Sequence, residues 1–250
     1  RHNSRHRADP RHEAMRLFAH AAANDHQVRR HGHIDDVDEF LVQVRMAGYR
    51  AGPVRLDSRR GTTCRVDVAV GPDKYLPTDS LRTYLRLLGV LGNKHVPGPY
   101  LIGSAEQRLA LLQGLMDSDG SAPAPHGYPK AEFCSTSRQL AESALYLARS
   151  LGWKATLSEG SAKYNGRIIG PSYKVLWTPN QDLVPFRLRR KASRIAPSVE
   201  ARRSATQTSK VASVQWTGQK LIRRRLVVAH HCGVYLETVG LVPVCDGRRR

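Results

Sequence analysis

The stretch LLQGLMDSDGS, residues 111–121, begins as an apolar helix and within one turn presents two carboxylates and a glycine. The negative end of the backbone dipole lies there, so Asp117 and Asp119 each cost about 0.3–1 kcal/mol where Lys or Arg would be favourable. Something must offset that cost, and a cation could. The spacing predicts a helix from Ser104 to Met116, because Ser104 and Gln107 stand in capping-box positions. Leu109, Leu112 and Met116 share one face, and Ala110 and Gly114 lie one turn apart on another. Glycine inside a helix costs about 1 kcal/mol against alanine, so Gly114 implies close approach by a second helix.

The charge says which partners to expect. Lys and Arg number 40 against 21 Asp and Glu, a net +19 over 250 residues, and an excess of that size self-repels unless a polyanion is the working partner. Nucleic acid leads that list. No membrane is expected, because the chain lacks an apolar run of roughly 18 residues. Cys64, Cys134, Cys232 and Cys245 show no C-x-x-C spacing, which points away from a zinc knuckle or redox pair. His230 and His231 beside Cys232 lack further ligands at sensible spacing for a metal site. The first residue is Arg, with no signal-peptide pattern behind it, so we expect a fragment or processed product of an intracellular, cytoplasmic and nucleoid-associated protein.

Four regions follow from composition and pattern. Residues 1–34 are basic and are expected to be poorly ordered. Residues 35–97 begin with DDVDEFLVQVRMAG, whose Val37, Phe40, Leu41 and Val44 recur at helical spacing. Two β-rich runs, YRAGPVRL and TTCRVDVAV, follow around the turn DSRRG, and then a helix DSLRTYLRLLGVLG. Residues 98–195 contain the acidic helix and then repeat the order helix, glycine, aromatic, basic residue, strand, turn, strand. Gly48-Tyr49-Arg50 and Gly152-Trp153-Lys154 correspond, which suggests two copies of one α+β unit about a pseudo-twofold axis. Residues 196–250 pass from a basic linker into short strands broken by Gly and Pro. Tyr49, Trp153, Tyr173 and Trp177 are assigned to sheet core.

LQGLMDSDG, residues 112–120, resembles the signature of the LAGLIDADG, or dodecapeptide (DOD-type), homing endonucleases, matching six of its nine letters. The segments LGVLGNKHVPGPYL, STSRQLAESALYLARSLG, AKYNGRIIG and FRLRRKASR agree with the branch carried inside inteins, in that branch's order. The resemblance implies an α+β fold of αββαββα repeats, with saddle-shaped antiparallel sheets over duplex DNA and the signature helices at the repeat interface. It implies site-specific hydrolysis of double-stranded DNA with Mg²⁺ or Mn²⁺. Asp119 then corresponds to the metal ligand and catalytic acid, with Gly120 beside it in the metal site. Asp117 and Gly114 take structural places in the helix. Lys94 in NKHVP, and Lys191 in FRLRRK, correspond to lysines acting at the scissile phosphate. Arg50, Arg55, Arg65, Lys154, Lys163, Arg167, Lys174, Arg189 and Arg190 are the candidate DNA contacts. One hard carboxylate per site can suffice, since Mg²⁺ keeps most of its waters and DNA phosphates supply further oxygens.

The chain departs from the family in two places. A first signature is due about a hundred residues before Asp119, yet PRHEAMRLFAH has no L-x-G-x-x-x-x-D-G pattern. A second chain, or a missing N-terminal half, would then supply the other acid. The last block, LVVAHHCGVYLETVGLVPVCDG, resembles the Hint-like closing block of an intein, but Cys245, Asp246 and Gly247 stand where splicing requires His-Asn and a nucleophile. Splicing is therefore expected to be lost. The competing expectation is a catalytically silent DNA-binding remnant of an intein inside a host such as a replicative helicase.

Overall fold

The computed structural model describes residues 32–33, 36–47, 49–56, 63–65, 68–70, 85–123, 129–179, 183–195, 213, 215–216, 218, 234–237 and 242–245. The chain divides into a unit of residues 1–202 and a unit of residues 203–250.

In the first unit, Ser104 begins the acidic helix as expected. Its Oγ accepts the Gln107 amide at 3.3 Å while Gln107 Oε1 accepts the Ser104 amide at 3.0 Å. The helix runs past Met116, so both acids lie inside it: it spans Ala105–Asp119. Two short helices are α1, Val37–Met46, and α2, Gly98–Leu101; the acidic helix is α3. The strands ahead of it are β1 (Gly32–His33), β2 (Tyr49–Ala51), β3 (Arg55–Leu56), β4 (Thr63–Arg65) and β5 (Val68–Val70). After it come β6 (Gly120–Ser121), β7 (Ala131–Ser135), α4 (Arg138–Ser150), β8 (Thr156–Tyr164), β9 (Arg167–Trp177) and α5 (Arg189–Ala192). From α3 to α5 the order is αββαββα.

Strands β6 to β9 form an antiparallel sheet in the order β6-β7-β9-β8. The β8–β9 hairpin closes on Asn165-Gly166, whose φ values of +48° and +78° are the left-handed conformations a two-residue hairpin turn requires. Side chains alternate across a strand. Ala131, Phe133, Val175 and Trp177 face α3 and α4 in one core with Leu111, Leu115, Leu140, Ala144 and Leu147. Glu132, Cys134, Ser158 and Lys174 alternate with these toward the other, open side. Trp153 and Trp177 are buried with ring centroids 6.0 Å apart; Tyr49 and Tyr173 pack on the core edge. The four aromatics are sheet core.

The earlier segment has the same plan. β1 lies antiparallel to β4, β3 pairs β4 and β2 pairs β5, so 49–56 and 63–70 form an interrupted hairpin. Its second arm stands between the first arm and the strand that precedes α1. β7, α4, β8 and β9 repeat that arrangement, since β9 stands between β7 and β8. Phe40 and Val44 of α1 pack with Tyr49 and Val68, which also touch the main core. The first signature's expected place near residues 10–20, Gly48, and the start of the DSLRTYLRLLGVLG helix lie outside the described residues; of that helix, 85–87 are helical.

In the second unit, β10 (Val234–Glu237) and β11 (Val242–Cys245) form an antiparallel hairpin. The basic run 196–212 lies outside the described residues. Among the described residues no helix is long and apolar enough to cross a membrane.

Candidate nuclease site at the end of the acidic helix

From Ala110 to Asp117 every residue of α3 is buried, on all sides of the helix. Such a helix runs through the interior and delivers its last turn to a chosen place. The two acids then separate sharply. Asp117 is buried, and its carboxylate accepts the amides of Arg187, at 3.1 and 3.3 Å, and Leu188, at 3.2 Å. It holds the amides of the N-cap residue of α5 and of the residue before it, and so fixes the chain's entry into that helix. Asp119, two residues on, is exposed at the helix end.

The cation that offsets the acidic terminus is Lys191. Its ammonium donates to the carbonyls of Met116 at 3.0 Å, Asp117 at 2.8 Å and Gly120 at 2.7 Å, with the Phe186 ring 5.8 Å away. Gly120 leads directly into β6. A Cβ there would lie 2.6 Å from the Met116 carbonyl oxygen and 2.7 Å from its Cα, so close backbone approach demands glycine.

The geometry revises several assignments. Lys191, expected at the scissile phosphate, spends its three donors on helix carbonyls. Gly120, expected in the metal site, has its carbonyl beside that ammonium, where a divalent cation would meet positive charge. Arg189 and Arg190, expected on DNA, hold α5 against the start of α1. The Arg190 guanidinium lies 2.8 Å from the buried Asp36 carboxylate, and Arg189 meets Glu39 through its amide at 3.0 Å and its guanidinium at 3.3 Å. Lys174 stands on the open side of the sheet but pairs with Glu132 at 3.3 Å. The register sets Tyr164 opposite Arg167 and Lys163 opposite Ile168. Alternation then carries Arg167 to the open side and Lys163 to the side of Leu157.

The other expected DNA contacts lie at the surface or on strands of the first hairpin. Arg50 and Arg55 are exposed in the first hairpin, and the register puts Arg55 directly across from Arg65. Lys154 is exposed just ahead of β8. Lys94 is half-buried in the loop before α2, and its carbonyl accepts Ser137 Oγ at 3.1 Å while that Oγ accepts the Leu140 amide at 3.3 Å. One hydroxyl thus caps α4 and ties down the Lys94 loop. Gly114 is buried within α3.

Ionic contacts also brace the sheet against α4. Arg138 bonds Glu142 at 2.9 Å and Glu159 at 3.0 Å and lies over the Tyr173 ring. The Glu142 hydrogen bond, then the Glu159 charge, hold its guanidinium in the charged form more firmly than usual.

Sequence reasoning missed Asp36, Glu39, Glu132 and the Arg187 and Leu188 amides. The acids in the first turn of α1 were legible, but their partners lie about 150 residues away. For the fit of a divalent ion, Asp119 offers one exposed hard oxygen donor, and no cluster of three or more His, Cys, Asp or Glu stands among the described residues. That donor suits Mg²⁺ or Mn²⁺ when nucleic-acid phosphates complete the shell.

Residues 106–189 match the LAGLIDADG-like domain family. The replicative DNA helicase DnaB of Mycobacterium intracellulare is 38% identical over 113 residues, which is 45% of this chain and 19% of that protein. The chain therefore spans about a fifth of the length of the curated relative it matches. Two solved structures are similar at a TM-score of 0.43: the N-terminal LAGLIDADG domain of DUF199/WhiA, at 10% identity over 77% of this chain and 87% of that one, and mesophilic variants of the homing endonuclease I-DmoI, at 9% over 68% and 90%. I-DmoI in complex with DNA and Mn matches at a TM-score of 0.39, with 12% identity over 68% of this chain and 90% of that one. The residues that match the LAGLIDADG-like domain family, 106–189, are those that run from α3 into α5 in the order αββαββα.

Proposed function

We propose that this chain is the endonuclease part of an intein, binding duplex DNA across the open side of its sheets and hydrolysing a phosphodiester at Asp119. The observation that carries this reading is the division of labour between two acids one turn-fragment apart. Asp117 is buried and consumed by backbone amides, whereas Asp119 is held exposed at the end of a buried helix.

Asp119 would hold the divalent ion, Mg²⁺ or Mn²⁺. When bound, that ion supplies Lewis acidity, lowering the pKa of a water and neutralising charge on the phosphoryl oxygens. The chain's own residues orient the reaction. α3 carries Asp119, Lys191 fixes the helix end, and Arg50, Arg55, Lys154 and Arg167 hold phosphates or guanine edges. Lys94 is the remaining candidate for contact with the scissile phosphate. The similarity to a segment of DnaB supports a host protein of the replicative-helicase kind, and the cell's DNA as the place of action. The Cys245, Asp246, Gly247 ending supports loss of splicing.

A second reading, a DNA-binding remnant without cleavage, is favoured by one observation: the sequence holds a single acidic signature. Supercoiled plasmid carrying random inserts, incubated with Mg²⁺ and either the wild-type chain or Asp119→Asn, separates the two. Nicked circles that vanish in the mutant support one working acid, and linear product supports a second acid from a partner chain. Retardation of DNA with neither product, on a library shown to contain the bound site, supports the remnant.

A further inference from the structure

The segment 183–195 makes a dense set of polar bonds to the acidic helix. The Val184 carbonyl accepts Gln113 Nε2 at 2.8 Å, the Arg187 and Leu188 amides hold Asp117, and the Lys191 ammonium spans the carbonyls of Met116, Asp117 and Gly120. On its other side the segment is anchored to α1 by Arg189 on Glu39 and Arg190 on Asp36. It is a clasp between the helix that starts the first hairpin and the helix that ends in Asp119.

We propose that Lys191 is a positioning residue for Asp119, acting through the helix end rather than on the phosphate; this rests on Asp119 being the metal-holding acid. The last carbonyls of any helix lack intrahelical donors, and the last turn frays unless something binds them. Here the bridge runs from Met116 to Gly120, across the whole turn that carries Asp119. Its charge also has the sign that the helix C-terminus favours. An ammonium has three donors and no acceptor, and three carbonyls match them. The anchor on α1 couples the acid's placement to the first hairpin, so the geometry of the reaction centre depends on both halves of the fold.

Hydrogen–deuterium exchange on the full chain, without DNA or metal, reads the cap apart from any activity. Residues 116–121 should exchange roughly 10- to 100-fold faster in Lys191→Gln than in wild type, the scale of losing charge-assisted hydrogen bonds. Residues 140–148 should not change. Lys191→Arg should lie between the two, because a planar fork keeps the charge but cannot meet three converging carbonyls. If Lys191→Gln fails to fold, Lys191→Arg decides by the same readout. In single-turnover nicking, Lys191→Gln should raise the Mg²⁺ concentration needed for half-maximal rate while leaving duplex affinity in Ca²⁺ unchanged. Unaltered exchange at 116–121 together with lost nicking would overturn the proposal and return Lys191 to the phosphate. Faster exchange with an unaltered Mg²⁺ requirement would overturn the positioning role. A wild-type chain that does not nick would overturn the nuclease reading, and positioning with it, while the cap itself is still decided by exchange.

Discussion

Two aspartates two positions apart have opposite environments: Asp117 is buried and Asp119 is exposed. Asp117 is buried, and its carboxylate accepts two backbone amides. Asp117→Ala leaves those amides buried and unsatisfied, and should lower stability by about 2–4 kcal/mol in urea unfolding. Asp119→Asn should cost less than Asp117→Ala, since its side chain is exposed and the change strands no buried donor. A comparable loss from both variants would contradict the division of labour. Both acids were legible in the sequence as a pair at a helix end. Which of them was structural followed there from resemblance, whereas the bonds to residues about 70 positions away give the physical cause.

At the scale of elements, the acidic helix is buried all round from Ala110 to Asp117, and protein groups bind the backbone at both of its ends. Ser104 and Gln107 do this at the start with a local motif, and such motifs are readable because both partners lie within one turn. At the end, Lys191 does it from about 75 residues away, and no local pattern encodes that. The same turn forces Gly120. Gly120→Ala pushes a methyl group into the Met116 backbone and should destabilise by about 1–3 kcal/mol, the scale of overpacking, as a lowered denaturation midpoint would show. The β8–β9 hairpin was legible from alternation and the Asn165-Gly166 turn, but its register was not. The irregularity between Ala162 and Lys163 places Arg167 on the open side and Lys163 on the other.

At the scale of the whole molecule, a net charge of +19 predicts duplex binding that weakens steeply with salt, with a log–log slope falling by about 0.9 for each phosphate contact removed. On the proposed reading, side chains on the open side of the sheet set that slope. Arg167→Gln should weaken duplex binding and flatten the slope by about one unit. Glu132→Gln should do the reverse, because it releases Lys174 from its ion pair to face phosphate. Filter binding of a random duplex at several salt concentrations measures both. If Glu132→Gln weakens binding, the open side of this sheet is not the surface that meets DNA.

Local physics determined much of the chain on its own. Helical spacing, the capping box and turn and strand patterns all act between residues near in sequence, and they gave α1, α3, α4 and the strand pairs, while the αββαββα order came from the resemblance. Charge balance, a sum over the chain, needed no fold to point to a polyanion. The tertiary structure alone decided the destinations of charges and bonds. Arg189, Arg190 and Lys191 belong to one basic run, and nothing in that run tells a phosphate contact from a clasp. Folding brings them against Asp36, Glu39 and the end of the acidic helix, where carboxylates and backbone carbonyls supply partners that the basic run itself does not reveal.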